Sequence, residues 1–250
     1  MAITDAARRN HEQLFPGHVS TLAVTDPELV ELFDNWAFDE VQDEAPMDLQ
    51  LRLMVQLAAL IACHAVNEYR VILSAALDVG VTPIGAKEVL YQAVPYVGMG
   101  RAFDFLHATN DVLRERGVTL PLPAQATTDA RNRFERGREA QTRIFGDRIE
   151  QMAAQAPEDQ AHIQRFLGAN CFGDFYTRGG LDLATRELLT FAMLAALGGC
   201  EPQLAGHVAG NVAMGNQRSQ LVAVLTQLLP FIGYPRTLNA LRVVNENTSA

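Results

Sequence analysis

Leu194 to Cys200 reads LAALGGC, and Leu57 to Cys63, 137 positions earlier, reads LAALIAC. Further on, Leu229 to Gly233 (LPFIG) answers Val94 to Gly98 (VPYVG) at a spacing of 135. A pattern that recurs in order at nearly constant spacing marks two related units in this 250-residue chain. Counted from the first match, Gln50 falls opposite Glu187; counted back from the shared Gly80 and Gly215, Ile72 falls opposite His207. On this register the second copy carries Glu187, Cys200 and His207 together, and the first keeps only its thiol, Cys63.

Around the repeat the chain reads as helix throughout. Leu49, Leu53, Leu57 and Leu60 recur every three to four residues, the spacing of one helix face over 48–62. A second helix over 68–77 ends before Gly80. Thr82 and Pro83 are a cap and a first-turn proline for a helix that Pro95 is expected to stop, and another follows over 101–116. The second copy repeats the series: 183–197 with Asp182 as cap, 201–214 after the Gly198-Gly199 turn, 219–229 stopped by Pro230, and 236–245. Alternation long enough for a sheet is missing, so the expected class is all-α.

Leading segments match as well: QLFPG (13–17) with RIFGD (143–147), and AFDEV (37–41) with CFGDF (171–175). The units therefore run over about 7–120 and 135–246, joined by the Pro- and Thr-containing linker 118–129. Each unit exposes apolar helix surface that its twin is placed to cover.

Composition narrows the function. A formal charge of −9 with no basic cluster points away from nucleic acid and from anionic membranes. No apolar run reaches the ~20 residues of a membrane span, and the N-terminus lacks a signal-peptide core; a cytoplasmic protein is expected. Three cysteines, Cys63, Cys171 and Cys200, do not make a secreted disulfide framework. Zinc-type spacing, dinucleotide and phosphate loops and the nucleophile elbow are missing.

The second copy holds the reactive groups. Cys200 follows two glycines at a helix start, where amide N–H groups and the helix dipole favour a thiolate, with Glu201 opposing. His207 lies seven residues on, on roughly the same face but ~10 Å further along the axis. Antiparallel packing through the Gly-Gly turn would bring Glu187 beside His207, making a proton-transfer pair. The plainer readings stand beside this: Cys200 as a small apolar residue, His207 as a structural imidazole, and Glu187 paired with Arg186. Cys171 reads as packing, and His107 shows no obvious partner.

Arg186 to Gly233, with RELLT, the small-residue turn, QLAGH (203–207) and PFIGYPRTLNAL (230–241), resembles the carboxymuconolactone decarboxylase family. That family shares its fold with the alkyl hydroperoxidase D-like proteins. Residues 49–106 resemble a second, diverged member, clearest in KEVLYQAVPYVG, and 160–183 resembles the lead-in of tandem members. The resemblance implies an all-helical homo-oligomer, here a trimer of two-unit chains, acting on a small-molecule substrate without cofactor or metal. It implies two chemistries. Cofactor-free decarboxylation of an unsaturated acid or lactone would use His207 as proton donor or to stabilise the oxyanion and Glu187 to orient it, with Arg186 or Arg236 as the cation for the substrate. Thiol-dependent hydroperoxide reduction would use Glu187, Cys200 and His207, but Gln203 stands where the second cysteine belongs. The first is the preferred expectation; a helical assembly protein without activity is the third.

Overall fold

A computed structural model describes residues 2–249, apart from the side chains of 150–153. Helices α1 (Asp5–Leu14), α2 (Leu22–Thr25) and α3 (Pro27–Asn35) lead into a π-helical stretch, Trp36–Glu40, and the short α4 (Val41–Glu44). Then come α5 (Leu49–Ala62), α6 (Val66–Asp78), α7 (Pro83–Val97) and α8 (Met99–Glu115). The second unit repeats the series with α9 (Arg133–Phe145), α10 (Arg148–Gln155), α11 (Ala161–Phe166), a longer π-helical stretch (Leu167–Tyr176), α12 (Leu183–Leu197), α13 (Glu201–Ala213) and α14 (Arg218–Asn247). No strand occurs among the described residues, so the all-α expectation is met. The matched segments AFDEV and CFGDF fall on the two π-helical stretches, and each carries a phenylalanine meeting one of the QLFPG or RIFGD segment edge to face: Phe38 on Phe15 at 6.1 Å, Phe172 on Phe145 at 5.8 Å.

The register of the repeat differs from the one the LAAL match suggests. Asp48 and Asp182 are the side-chain N-caps of α5 and α12, accepting from Leu51 and Thr185 amides at 3.0 and 2.8 Å. They lie 134 positions apart, which sets buried Arg52 opposite buried Arg186 and Leu53 opposite Glu187. Gln50 is exposed and donates to the Val79 carbonyl, so it is not the counterpart of Glu187. The residue capping α6 in place of Cys200 is Ala65, while Cys63 belongs to the end of α5. Only the pairing of Ile72 with His207 stands, each seven residues beyond its cap. The first copy thus retains none of the three groups: Leu53, Ala65 and Ile72 occupy their places.

Neither proline stops its helix. α7 runs through Pro95 to Val97, and α14 runs through Pro230. The break comes three residues later in both, at Gly98 (φ 79, ψ 155) and Gly233 (φ 76, ψ 167), backbone angles that only glycine adopts without strain. A proline in the last turn removes one helical hydrogen bond without preventing the chain from continuing. The 30-residue α14 has the length and mean hydropathy of a membrane span, but Gly233 divides it and it packs on α4, α5, α12 and α13.

Helices α5 and α12 pack on each other at the centre; α7 of the first unit lies on α12, and α14 of the second on α5. One hydrophobic cluster runs through both units, from Leu53, Leu57 and Leu73 to Phe191, Leu194 and Leu225. A smaller one holds Ile144, Cys171, Phe172 and Tyr176, with Tyr96 of the first unit packed against it.

Candidate functional site

The site forms where α7 of the first unit meets α12, α13 and the second π-helical stretch. Asp182 fixes the start of α12 and places fully buried Glu187 in its second turn. The turn Gly198–Cys200 sends α13 back along α12, and Asn211 of α13 clamps the pair by donating to the carbonyls of Glu187 and His207 at 3.0 and 2.7 Å. Glu187 Oε2 then lies 2.9 Å from His207 Nδ1, the juxtaposition antiparallel packing requires. Behind them α9 crosses the π-helical stretch at glycines: a Cβ on Gly137 or Gly173 would collide with the backbone of Gly168 or Arg133. That close crossing brings Phe145 and Tyr176 to the same point.

Two tyrosines complete the arrangement. Tyr176 donates to Glu187 Oε1 at 2.8 Å, so both carboxylate oxygens are engaged. Tyr96, from the first unit, sits 2.8 Å from the Tyr176 hydroxyl and 3.3 Å from His207 Nε2. The imidazole is held edge to face between Tyr96 and Phe145, at 5.4 and 5.3 Å, and is 8% exposed. A carboxylate only accepts, so a hydrogen bond from His207 to Glu187 as carboxylate puts the proton on Nδ1 and leaves Nε2 facing the Tyr96 hydroxyl. The Tyr96 hydroxyl can donate to a neutral Nε2, or accept from a protonated one while donating to Tyr176. Burial pushes both tyrosines well above the ordinary phenol range, with the Glu187 charge adding to it. They remain protonated hydroxyls.

The polar chain continues away from the site. The Tyr176 hydroxyl lies 3.0 Å from Thr190 Oγ1, which accepts from Gln92 at 3.2 Å; Gln92 accepts from Arg186 at 3.0 Å. Arg186, fully buried, ends on Glu88 of α7 at 3.0 Å and on the carbonyls of Arg178 and Gly179. Arg186 is therefore committed to the interior, and the expectation that it binds a substrate carboxylate is overturned. So is its pairing with Glu187. Arg236 lies over Gly198 and approaches Cys63 Sγ at 3.8 Å, at the junction of the two units.

Cys200 caps α13 by position but not by side chain. Its Sγ turns back to the Leu194 carbonyl at 3.4 Å, and it makes no bond to Glu187 or His207 among the described residues. Burial, then the Glu201 charge, raises its pKa, so the thiolate expected at this helix start is disfavoured. The amides that would favour it are not engaged. Cys171 is buried, 4.0 Å from the Tyr96 hydroxyl, with its thiol pushed up to about 12 by burial and by Glu187. Cys63 is raised by burial despite Arg236 and Arg101. His107 packs on Phe103 at 4.9 Å.

Sequence reasoning missed Tyr96, Tyr176, Thr190 and Gly210. Tyr96 carried a signal, since VPYVG has the hydroxyl where LPFIG has Phe231. Gly210 carried none: a Cβ there would lie 2.5 Å from Glu187 Oε2, so its absence makes room for the carboxylate.

The sequence profile of the carboxymuconolactone decarboxylase family matches two segments, 27–111 and 161–246. A 4-carboxymuconolactone decarboxylase of Acinetobacter baylyi is 26% identical over 115 residues, covering 46% of this chain and 85% of that protein. A relative of about one unit's length is what a tandem chain should match. With both halves matched in order, the chain belongs to the carboxymuconolactone decarboxylase family as a two-unit member.

Proposed function

We propose that the chain catalyses cofactor-free decarboxylation of a small unsaturated carboxylic acid or lactone acid in its second unit. The observation that carries this is the 2.9 Å Glu187–His207 pair, with Nε2 directed at the Tyr96 hydroxyl. In this reading the bond to the leaving carboxylate breaks, its electron pair moves into the conjugated carbonyl, and CO₂ departs. The resulting dienolate takes a proton on carbon from Nε2 of protonated His207, the imidazolium that Glu187 stabilises before the step, and the neutral imidazole regains its proton from water. Tyr96, turning its single O–H away from Tyr176, is the donor best suited to the developing oxyanion. Positioned proton transfer of this kind is worth roughly 10²–10⁴ in rate. A cleft of about 640 Å³ reaches Tyr176 and Met214, and its wall carries Arg136, Arg143 and Arg178 together with Glu139 and Asp182.

The thiol peroxidase reading draws less support. Gln203 leaves Cys200 without a neighbouring resolving thiol, and its raised pKa lowers the thiolate fraction at neutral pH. The test is CO₂ release from 4-carboxymuconolactone and related lactone acids. Wild type should be active, Cys200→Ser should keep that activity, and His207→Ala and Glu187→Gln should lose about two orders of magnitude or more. Loss of turnover in Cys200→Ser, with a dimedone-trapped sulfenate in wild type, would move the assignment to thiol chemistry.

A further inference from the structure

A second cavity, of about 470 Å³, opens between α7, the end of α8 and the linker. Its floor holds Lys87, the only lysine of the chain among twenty basic residues. The side chain is 9% exposed, yet it has no carboxylate partner among the described residues. Nζ donates to Asn110 Oδ1 at 2.5 Å and lies 5.9 Å from the centre of the Tyr91 ring. Arg178 stacks on the same ring at 4.9 Å and grips Glu88, which also receives Arg186. Arg114 stands on the rim, 3.4 Å from Asp111. Cations thus outnumber carboxylates here, in a chain whose net charge is −9. Burying an ammonium without a counter-charge is costly, and an anion would offset that cost.

The opposite wall is apolar: Ile84, Leu120, Pro121 and Leu122. It is held in place, since Gly179 N donates to the Gln125 carbonyl at 2.9 Å and Thr127 and Thr128 bond the carbonyls of Thr177 and Gly173. The cavity is therefore built before any ligand arrives. One uncompensated ammonium matches one negative charge, and the apolar wall matches a hydrocarbon or aromatic body rather than a hydrated phosphate.

We infer that this cleft is a second ligand site, taking a small monocarboxylate with an apolar or aromatic body: its carboxylate on Lys87 and its body between Tyr91 and the linker wall. The site is separate from the Glu187–His207 pair and does not depend on the decarboxylase reading.

Benzoate is the probe, with neutral benzamide as control, titrated calorimetrically into the full chain. Benzoate should bind saturably and benzamide should not. Lys87→Met should weaken benzoate roughly ten- to a hundredfold, the loss of one charge-assisted hydrogen bond, while Lys87→Arg retains it. Leu122→Glu, a change on the partly exposed wall, gives a second arm and should also weaken benzoate; circular dichroism checks that each variant is folded. As the only side-chain amine, Lys87 should also be protected by benzoate against reductive methylation, read by mass spectrometry. The inference is overturned if folded wild type binds no benzoate, if benzamide or inorganic phosphate binds equally well, or if the benzoate site is lost in His207→Ala and kept in Lys87→Met.

Discussion

Glu187 acts as a paired carboxylate because of what its neighbours lack as much as what they supply. Gly210 on α13 passes so close that a methyl group there would meet Glu187 Oε2 at 2.5 Å, Ile144 at 2.9 Å and Phe145 at 3.1 Å. The carboxylate cannot retreat without giving up Tyr176 or His207. Gly206, four residues earlier on the same helix, faces open space. The two glycines should therefore respond to alanine with opposite signs. Gly206→Ala gains helix propensity, about 0.5–1 kcal/mol. Gly210→Ala loses roughly 1–3 kcal/mol to overpacking and lowers turnover as it displaces Glu187. Urea titrations of both variants, with turnover of each, check this; a stabilised and fully active Gly210→Ala would show that the carboxylate has slack. At this scale the sequence was legible for the carboxylate and imidazole, whose spacing across a short turn implies contact. Tyr96 and Tyr176 were not, because they reach the imidazole and the carboxylate from α7 and from the π-helical stretch, and local spacing carries no information about either approach.

At the scale of elements, the caps of α7 and α12 and the leading segments could be read directly, and the register could not. The LAAL match sits three residues from the alignment that the Asp48 and Asp182 caps impose. Three residues are nearly one helical turn, so the slip keeps every apolar residue on the buried face and leaves no hydrophobic penalty to expose it. Capping chemistry distinguishes the two registers because a cap exists at one position only. The prolines misled for a related reason: the chain is stopped by backbone angles at Gly233, not by the hydrogen bond missing at Pro230. Gly233→Ala should then cost about 1–3 kcal/mol from strain at φ 76. Pro230→Ala should cost less than that, since it restores an amide inside a helix that already continues. Denaturation midpoints measured side by side decide it; a larger loss at Pro230 would make the proline the terminator after all.

At the scale of the whole molecule, the two units share one interior, and it includes ions as well as hydrocarbon. Glu88 of the first unit is 1% exposed and receives Arg186 and Arg178 of the second at 3.0 and 2.9 Å. Arg186 is fully buried, and desolvation lowers its pKa, with Glu88 pulling the other way. The guanidinium thus stays inside the protein because the other unit neutralises it. In the first copy Arg52 has the matching position but meets Gln42 rather than a carboxylate, and burial lowers its pKa to about 10. Removing one partner of a buried pair leaves an uncompensated charge, typically about 3–5 kcal/mol, whereas removing both is far milder. Glu88→Gln should therefore destabilise the entire chain by that amount in a single transition, not only the unit that carries it. The double variant Glu88→Gln/Arg186→Met should recover part of the loss, although Arg178 still lacks its partner. Urea unfolding followed by circular dichroism and by the fluorescence of Trp36, which stacks on Tyr234 of the other unit at 5.9 Å, gives both readings at once. Coincident curves with a partial rescue are expected; two separated transitions, or a Glu88→Gln cost below about 1 kcal/mol, would mean that hydrophobic contact alone joins the units.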